Sequence, residues 1–185
     1  MTNAAYAPRS TYASSAVRWR SVRRSVNRTM VATVSAVSIG TAVTKSTTTP
    51  IAVGENVYRK HGQRTLLEPQ AVDIIAPDLP RVGGMRETRK IADLADMYYI
   101  PVAMHNVSSP IGTMASAQVG AAIPNSLALE YHSYELGWWE DLVEEDNLIE
   151  EGRMEIPEEP GLGLTLDLDA VGEHMVEGET LFDEA

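Results

Sequence analysis

Four short runs decide how this chain is read: Pro50-Ile-Ala-Val-Gly-Glu55, Val72-Asp-Ile-Ile-Ala-Pro-Asp78, Ile100-Pro-Val-Ala-Met-His105 and Ser126-Leu-Ala-Leu-Glu130. Each is apolar for most of its length and ends on an ionisable residue, and successive ends are 23, 27 and 25 residues apart. Runs of this length without clean alternation read as strands buried on both faces, the habit of parallel sheets. Helical patterns lie between them. Ile91, Leu94, Ala95 and Tyr98 fall on one face of a helix that opens at Gly83-Gly84. Ser109-Pro110 supplies an N-cap and a first-turn proline for a helix carrying Ile111, Met114, Ala115, Gln118, Val119 and Ala122, which Pro124-Asn125 stops. Tyr58–Leu67 is a third helix, with Gly62 inside it. Strand and helix alternating at this pitch form the unit of a (β/α) barrel, in which catalytic groups sit at the C-terminal ends of strands. Glu55, Asp78, His105 and Glu130 are therefore expected to converge on one mouth. The plainer alternative is that each caps a following helix or pairs with a neighbour.

The rest of the composition narrows the classes. The chain has 185 residues, 44% hydrophobic and 22% charged, as in a globular protein. It has no cysteine, which excludes disulfides, thiolate metal sites and a cysteine nucleophile. No run reaches the roughly 18 apolar residues that span a bilayer, so no membrane role is expected. The net charge of -11 divides sharply: Met1–Thr49 carries +7 with no acidic residue, and Pro50–Ala185 carries -18. The first stretch is rich in Ser, Thr, Ala and Arg. It is open to three readings: a basic nucleic-acid arm around Trp19, an export signal beginning at Arg23-Arg24, or an extension without a fold of its own from a misplaced start or shifted frame. We take the third, with residues 1–41 as a disordered extension and 42–185 as the folded domain. The acidic surface of that domain repels nucleic acid and suits a cytoplasm with much salt to screen it. His61, His132 and His174 show no metal-ligand spacing, and Gly83-Gly84 lacks the full glycine pattern of a nucleotide fold. Tyr131, Trp138 and Trp139 are expected to pack the C-terminal tail against the barrel, with sugar stacking as the alternative.

Several motifs in order carry a resemblance. Thr49-Pro-Ile-Ala-Val-Gly-Glu-Asn56, Asp73-Ile-Ile-Ala-Pro-Asp-Leu-Pro-Arg-Val-Gly-Gly84, Lys90-Ile-Ala-Asp-Leu-Ala95, Pro101-Val-Ala-Met-His105, Ser109-Pro-Ile-Gly112, Ile123-Pro-Asn125 and Pro157-Glu-Glu-Pro-Gly-Leu-Gly163 resemble the mandelate racemase and muconate lactonizing branch of the enolase superfamily. The resemblance implies a fold of class α/β: a partial TIM-type barrel made of the last four strand–helix units and the C-terminal tail. It implies a magnesium ion that holds a substrate carboxylate while a base removes the neighbouring proton. Glu55 matches the last of three carboxylate metal ligands. Asp78 and His105 match an aspartate–histidine dyad, and Glu130 matches the acid that hydrogen-bonds the developing oxyanion. The wording around Glu55-Asn56 and His105–Gly112 is more similar to sugar-acid dehydratases of the galactonate, gluconate or xylonate type than to racemases or epimerases.

Nothing in Met1–Gly40 resembles the family's capping domain, its early lysine motif or its first two metal ligands. Magnesium needs several oxygens in near-octahedral geometry, so a lone Glu55 is not expected to hold it. The expectation is a remnant that is inactive alone and whose substrate would be a small sugar acid. Full-length relatives are expected to be homo-oligomers. A half-barrel that pairs with a second copy and binds without catalysis is the alternative from another class.

Overall fold

A computed structural model describes residues 17–18, 32–33, 48–131 and 137–181. Its centre is a parallel sheet in the order β2 (Ala32–Thr33), β3 (Ile51–Val53), β4 (Ile74–Ile75), β5 (Val102–Met104), β6 (Ser126–Leu129). The last four strands are the four runs singled out above. Ala52 and Val53 pair with Ile74 and Ile75, Ile75 with Val102, and Met104 with Leu129, with a register shift between Val102 and Ala103. Ile75 and Val102 are fully buried, as strands packed on both faces require.

β2 falls within the stretch assigned above to an extension without structure. Parallel pairing of Ala32 with Ile51 and Thr33 with Ala52 gives the sheet a fifth strand there. The outer edge of β3 presents unpaired backbone donors and acceptors, and an extended segment satisfies them without needing an apolar face of its own. Most of residues 1–41 lies outside the described residues. A separate antiparallel pair joins β1 (Val17–Arg18) to β7 (Arg153–Met154).

Helices follow the strands. α1 (Arg59–Leu67) follows β3, and α3 (Met85–Asp96) buries Thr88, Ile91, Ala92 and Ala95 against the sheet, with Leu94 and Tyr98 packed alongside. α4 (Pro110–Ala122) begins where Ser109 Oγ accepts the Gly112 N–H at 3.4 Å. α4 is buried on more than one side, with Thr113 through Ala117, Val119 and Gly120 inside, so its stripe is less one-sided than the sequence spacing suggested. Between β4 and α3 sits a four-residue helix, α2 (Leu79–Val82), that the sequence reading passed over. Asp78 caps it, Pro80 lies in its first turn, and Gly83 at φ 114° ends it in the left-handed region that glycine tolerates. Asn125 ties the layers together: its Nδ2 donates to Ala92 O and Ile100 O, both at 3.1 Å.

After β6 the chain crosses a 3-10 turn (Glu140–Leu142) and ends the described region beyond α5 (Leu168–Glu173). Trp139, Val143, Leu148 and Met154 from this tail are buried in the main core. The parallel strands, with helices after β3, β4 and β5, form part of a (β/α) barrel.

Candidate active site

The four candidate residues all follow the C-terminal ends of parallel strands, so they lie at one end of the sheet. The geometry joins them unevenly. Asp78 and His105 are backbone neighbours: they form a parallel bridge, with the His105 N–H donating to Pro77 O at 3.2 Å. Their side chains meet as well, His105 Nδ1 lying 2.8 Å from Asp78 Oδ2. The other Asp78 oxygen accepts the Arg81 N–H at 3.2 Å, so this aspartate both caps α2 and orients the imidazole. The helix-capping alternative offered above therefore holds at Asp78. On the opposite side of the ring, Nε2 lies 3.9 Å from Glu130 Oε2, beyond hydrogen-bond reach. Exposure rises along this line. The Asp78 side chain is 4% exposed, His105 21% and Glu130 54%, so the buried carboxylate anchors a ring whose free nitrogen faces outward.

Glu55 is reached by a second route. Gly54, at φ 142°, turns the chain out of β3, and the Val57 N–H closes the turn on Gly54 O at 3.1 Å. Glu55 and Asn56 are the two central residues of that turn. Glu55 is buried; its Oε2 accepts the Gly54 N–H at 3.1 Å and its Oε1 the Asn56 amide at 3.3 Å. Asn56 Oδ1 in turn accepts from Arg81 Nη1 at 2.8 Å, and Arg81 Nε is 3.9 Å from Asp78 Oδ2. The structure thus brings Asp78, His105 and Glu130 together directly and links Glu55 to them through Asn56 and Arg81.

Other residues hold this arrangement without having been singled out in the sequence. Gln63 is fully buried, and its Nε2 donates to Gly54 O at 2.8 Å and Val57 O at 2.7 Å, gripping both ends of the Glu55 turn. A β-carbon on Gly54 would stand 3.0 Å from Gln63 Oε1 and 3.2 Å from Ala76 N, so the close packing itself demands glycine. Asn106, buried beside His105, pairs with Thr113 through contacts of 3.0 and 3.3 Å. Of these, only the glycine carries a signal in sequence.

Of the aromatic residues after β6, Trp139 packs into the core as expected, while Tyr131 and Trp138 stay exposed. Trp139 is buried, its Nε1 donates to Ser108 O at 2.9 Å, and Tyr131 meets it edge-on at 5.9 Å. Burial, and then the negative charge of Glu140, push the Tyr131 phenol above its ordinary range. Trp138 stacks on His174 at 4.4 Å. His61 lies in a surface cavity and His132 lies outside the described residues.

The donor set answers whether these residues fit a magnesium ion. Among the described residues no three His, Asp or Glu side chains gather as a metal site. Both Glu55 oxygens already accept hydrogen bonds, and one protein carboxylate does not make a near-octahedral oxygen site. The described residues alone do not fit the ion.

Residues 31–170 match the sequence family described as enolase C-terminal domain-like. The chain belongs to this family. Over 142 residues, 77% of the enolase-type chain, it is 92% identical to a D-xylonate dehydratase from Haloferax volcanii, covering 34% of that protein. Over 122 residues, 65% of the chain, it is 30% identical to a D-gluconate dehydratase from Thermoproteus tenax, covering 24% of it. A solved mandelate racemase/muconate lactonizing enzyme-like protein from Rubrobacter xylanophilus superposes with a TM-score of 0.71 at 48% identity, over 75% of this chain and 36% of that one. The chain therefore spans about a third or less of the length of these relatives. No helix among the described residues is long and apolar enough to cross a membrane.

Proposed function

We propose that this chain carries the acid–base part of a sugar-acid dehydratase site, with D-xylonate as the substrate suggested by the 92%-identical relative. The observation that supports it is the 2.8 Å contact between His105 Nδ1 and a buried aspartate. A carboxylate can only accept, so the ring proton is held on Nδ1 and the Nε2 lone pair is left to exchange a proton with substrate. His105 Nε2 takes the proton from the carbon beside the substrate carboxylate or, once charged, protonates the departing hydroxyl on the next carbon. Glu130 is the acid that hydrogen-bonds the oxyanion developing between these events. Loss of one proton and one hydroxide makes one water, and the enol left behind becomes a 2-keto-3-deoxy acid. Arg81 and Asn56 keep Glu55 in register with the dyad.

Magnesium, on this reading, binds only when further oxygen ligands join Glu55, and the 185-residue chain by itself does not turn over. The charge of -18 beyond residue 49 accords with a cytoplasm of high ionic strength. The purified chain, given magnesium and D-xylonate, is expected to release no keto-deoxy acid. Addition of the first two-thirds of the Haloferax volcanii enzyme in trans is expected to restore release, and His105→Asn to abolish it. Turnover by the chain alone would refute the requirement for further ligands. A reconstituted complex that is active and indifferent to His105→Asn would refute the role given to the dyad.

A further inference from the structure

The segment beyond residue 49 is strongly acidic and holds only eight basic residues, yet four of them, Arg59, Lys60, Arg64 and Lys90, line a single groove between α1 and α3. The groove is made of two cavities of about 320 and 400 Å³ that share Lys60, His61 and Lys90. Its ends differ in chemistry. The first cavity adds Arg59 and Glu87; the second adds Leu94 and Met97, the latter 75% exposed, together with Arg64 and Asp93, which are already paired with Glu68 and Arg89. None of the Asp78–His105 site residues lines either cavity.

Glu87 shows what the cationic end accepts. One of its oxygens takes the Lys60 N–H and the other Lys90 Nζ, each at 3.0 Å. These two bonds, first the Lys60 N–H and then Lys90, hold its carboxyl below the usual carboxylate range, so this end of the groove favours a bound anion. Among the described residues, no carboxylate lies within ion-pair distance of the Arg59 or Lys60 side chain. Arg59, Lys60 and Lys90 against Glu87 leave two positive charges unmatched. A phosphate monoester at neutral pH carries close to two negative charges.

We propose that this groove binds a phosphate monoester with an apolar substituent, the phosphate between Arg59, Lys60 and Lys90 and the substituent over Leu94 and Met97. Charge selects the dianion, and the exposed apolar floor distinguishes an organic phosphate from the inorganic ion. The site stands apart from the proposed dehydratase chemistry and does not depend on it.

The test is a titration of the full 185-residue chain, at low ionic strength, with phenyl phosphate, inorganic phosphate and benzyl alcohol, followed by amide and methyl NMR shifts. Saturable shifts are expected at Lys60, His61, Lys90, Leu94 and Met97, with phenyl phosphate bound about tenfold more tightly than inorganic phosphate. Benzyl alcohol should not saturate. Arg59→Gln and Lys60→Gln, both substitutions of solvent-accessible side chains, should each weaken phenyl phosphate about threefold or more while the rest of the spectrum stays in place. Equal affinity for the two phosphates would overturn the apolar half of the proposal. Shifts that fail to saturate, that scatter over the surface or that ignore both substitutions would overturn it entirely.

Discussion

Gln63 offers a sharp physical test because its two ends are unequally satisfied. Its Nε2 donates to Gly54 O and Val57 O, while its buried Oε1 has no partner. In Gln63→Leu both carbonyls lose the side-chain donor, but Gly54 O keeps the Val57 N–H, so Val57 O is the acceptor left exposed to the loss. An orphaned acceptor costs about 1–3 kcal/mol, and removal of the orphaned Oε1 returns a similar amount. The leucine variant should therefore lie within about 1 kcal/mol of the parent. Gln63→Glu has the same shape but sets an oxygen against two carbonyl oxygens at 2.7–2.8 Å. Ionised, it is an unpaired buried charge; protonated, it has one donor for two acceptors. Either way the expected cost is about 3 kcal/mol or more. Urea unfolding reads the difference: with a slope of about 1–2 kcal/mol per molar, the glutamate midpoint should fall about 1.5–3 M below that of leucine. The gap should narrow at acid pH, where the carboxyl is neutral. Equal midpoints for the two variants would show that the Gln63 amide does not clamp the Glu55 turn.

Glu87 carries a pH signature. Its folded carboxyl is held low by the Lys60 N–H and by Lys90, so its contribution to stability is present above the ordinary value of 4.5 and is lost as pH falls through the lower folded value. The difference in urea midpoint between parent and Glu87→Gln should accordingly be constant near neutrality and shrink below about pH 4.5; a difference that grows on acidification would contradict the assignment. Asn125→Ala frees the Ala92 and Ile100 carbonyls and is expected to cost about 1–2 kcal/mol, since the unpartnered Oδ1 disappears with them. Hydrogen exchange should quicken first around Ile100, and uniform acceleration throughout the sheet would contradict a local tie.

What the sequence made legible was local or periodic. The four strand ends stood out because apolar runs recur at a nearly constant pitch, and α4 because Ser109 and Pro110 announce its start. α2 was missed although Asp78 and Pro80 carry the same kind of start signal, because Asp78 had already been read as a strand end. It is both, and a four-residue helix is too short to show a period. Gln63 and Asn106 could not be found at all: a polar side chain turns inward only where backbone carbonyls or a Thr113 hydroxyl wait for it, which is a tertiary fact. The Asn56–Arg81 link joins residues 25 apart in sequence and is likewise invisible to spacing. The pairing of β2 rests on backbone groups alone, so the residues of Ala32–Thr33 carry little mark of it.

The proposed proton transfer depends most heavily on the hydrogen bond that fixes the His105 ring. Nitrogen NMR of imidazole-labelled chain at neutral pH measures it directly: Nδ1 should carry the proton, coupled across the 2.8 Å contact to Asp78, and Nε2 should show the shift of a bare lone pair. Asp78→Ala should turn this single tautomer into a mixture. A proton found on Nε2 in the parent chain, or a mixture already present there, would contradict the claim that the buried aspartate prepares His105 for proton transfer.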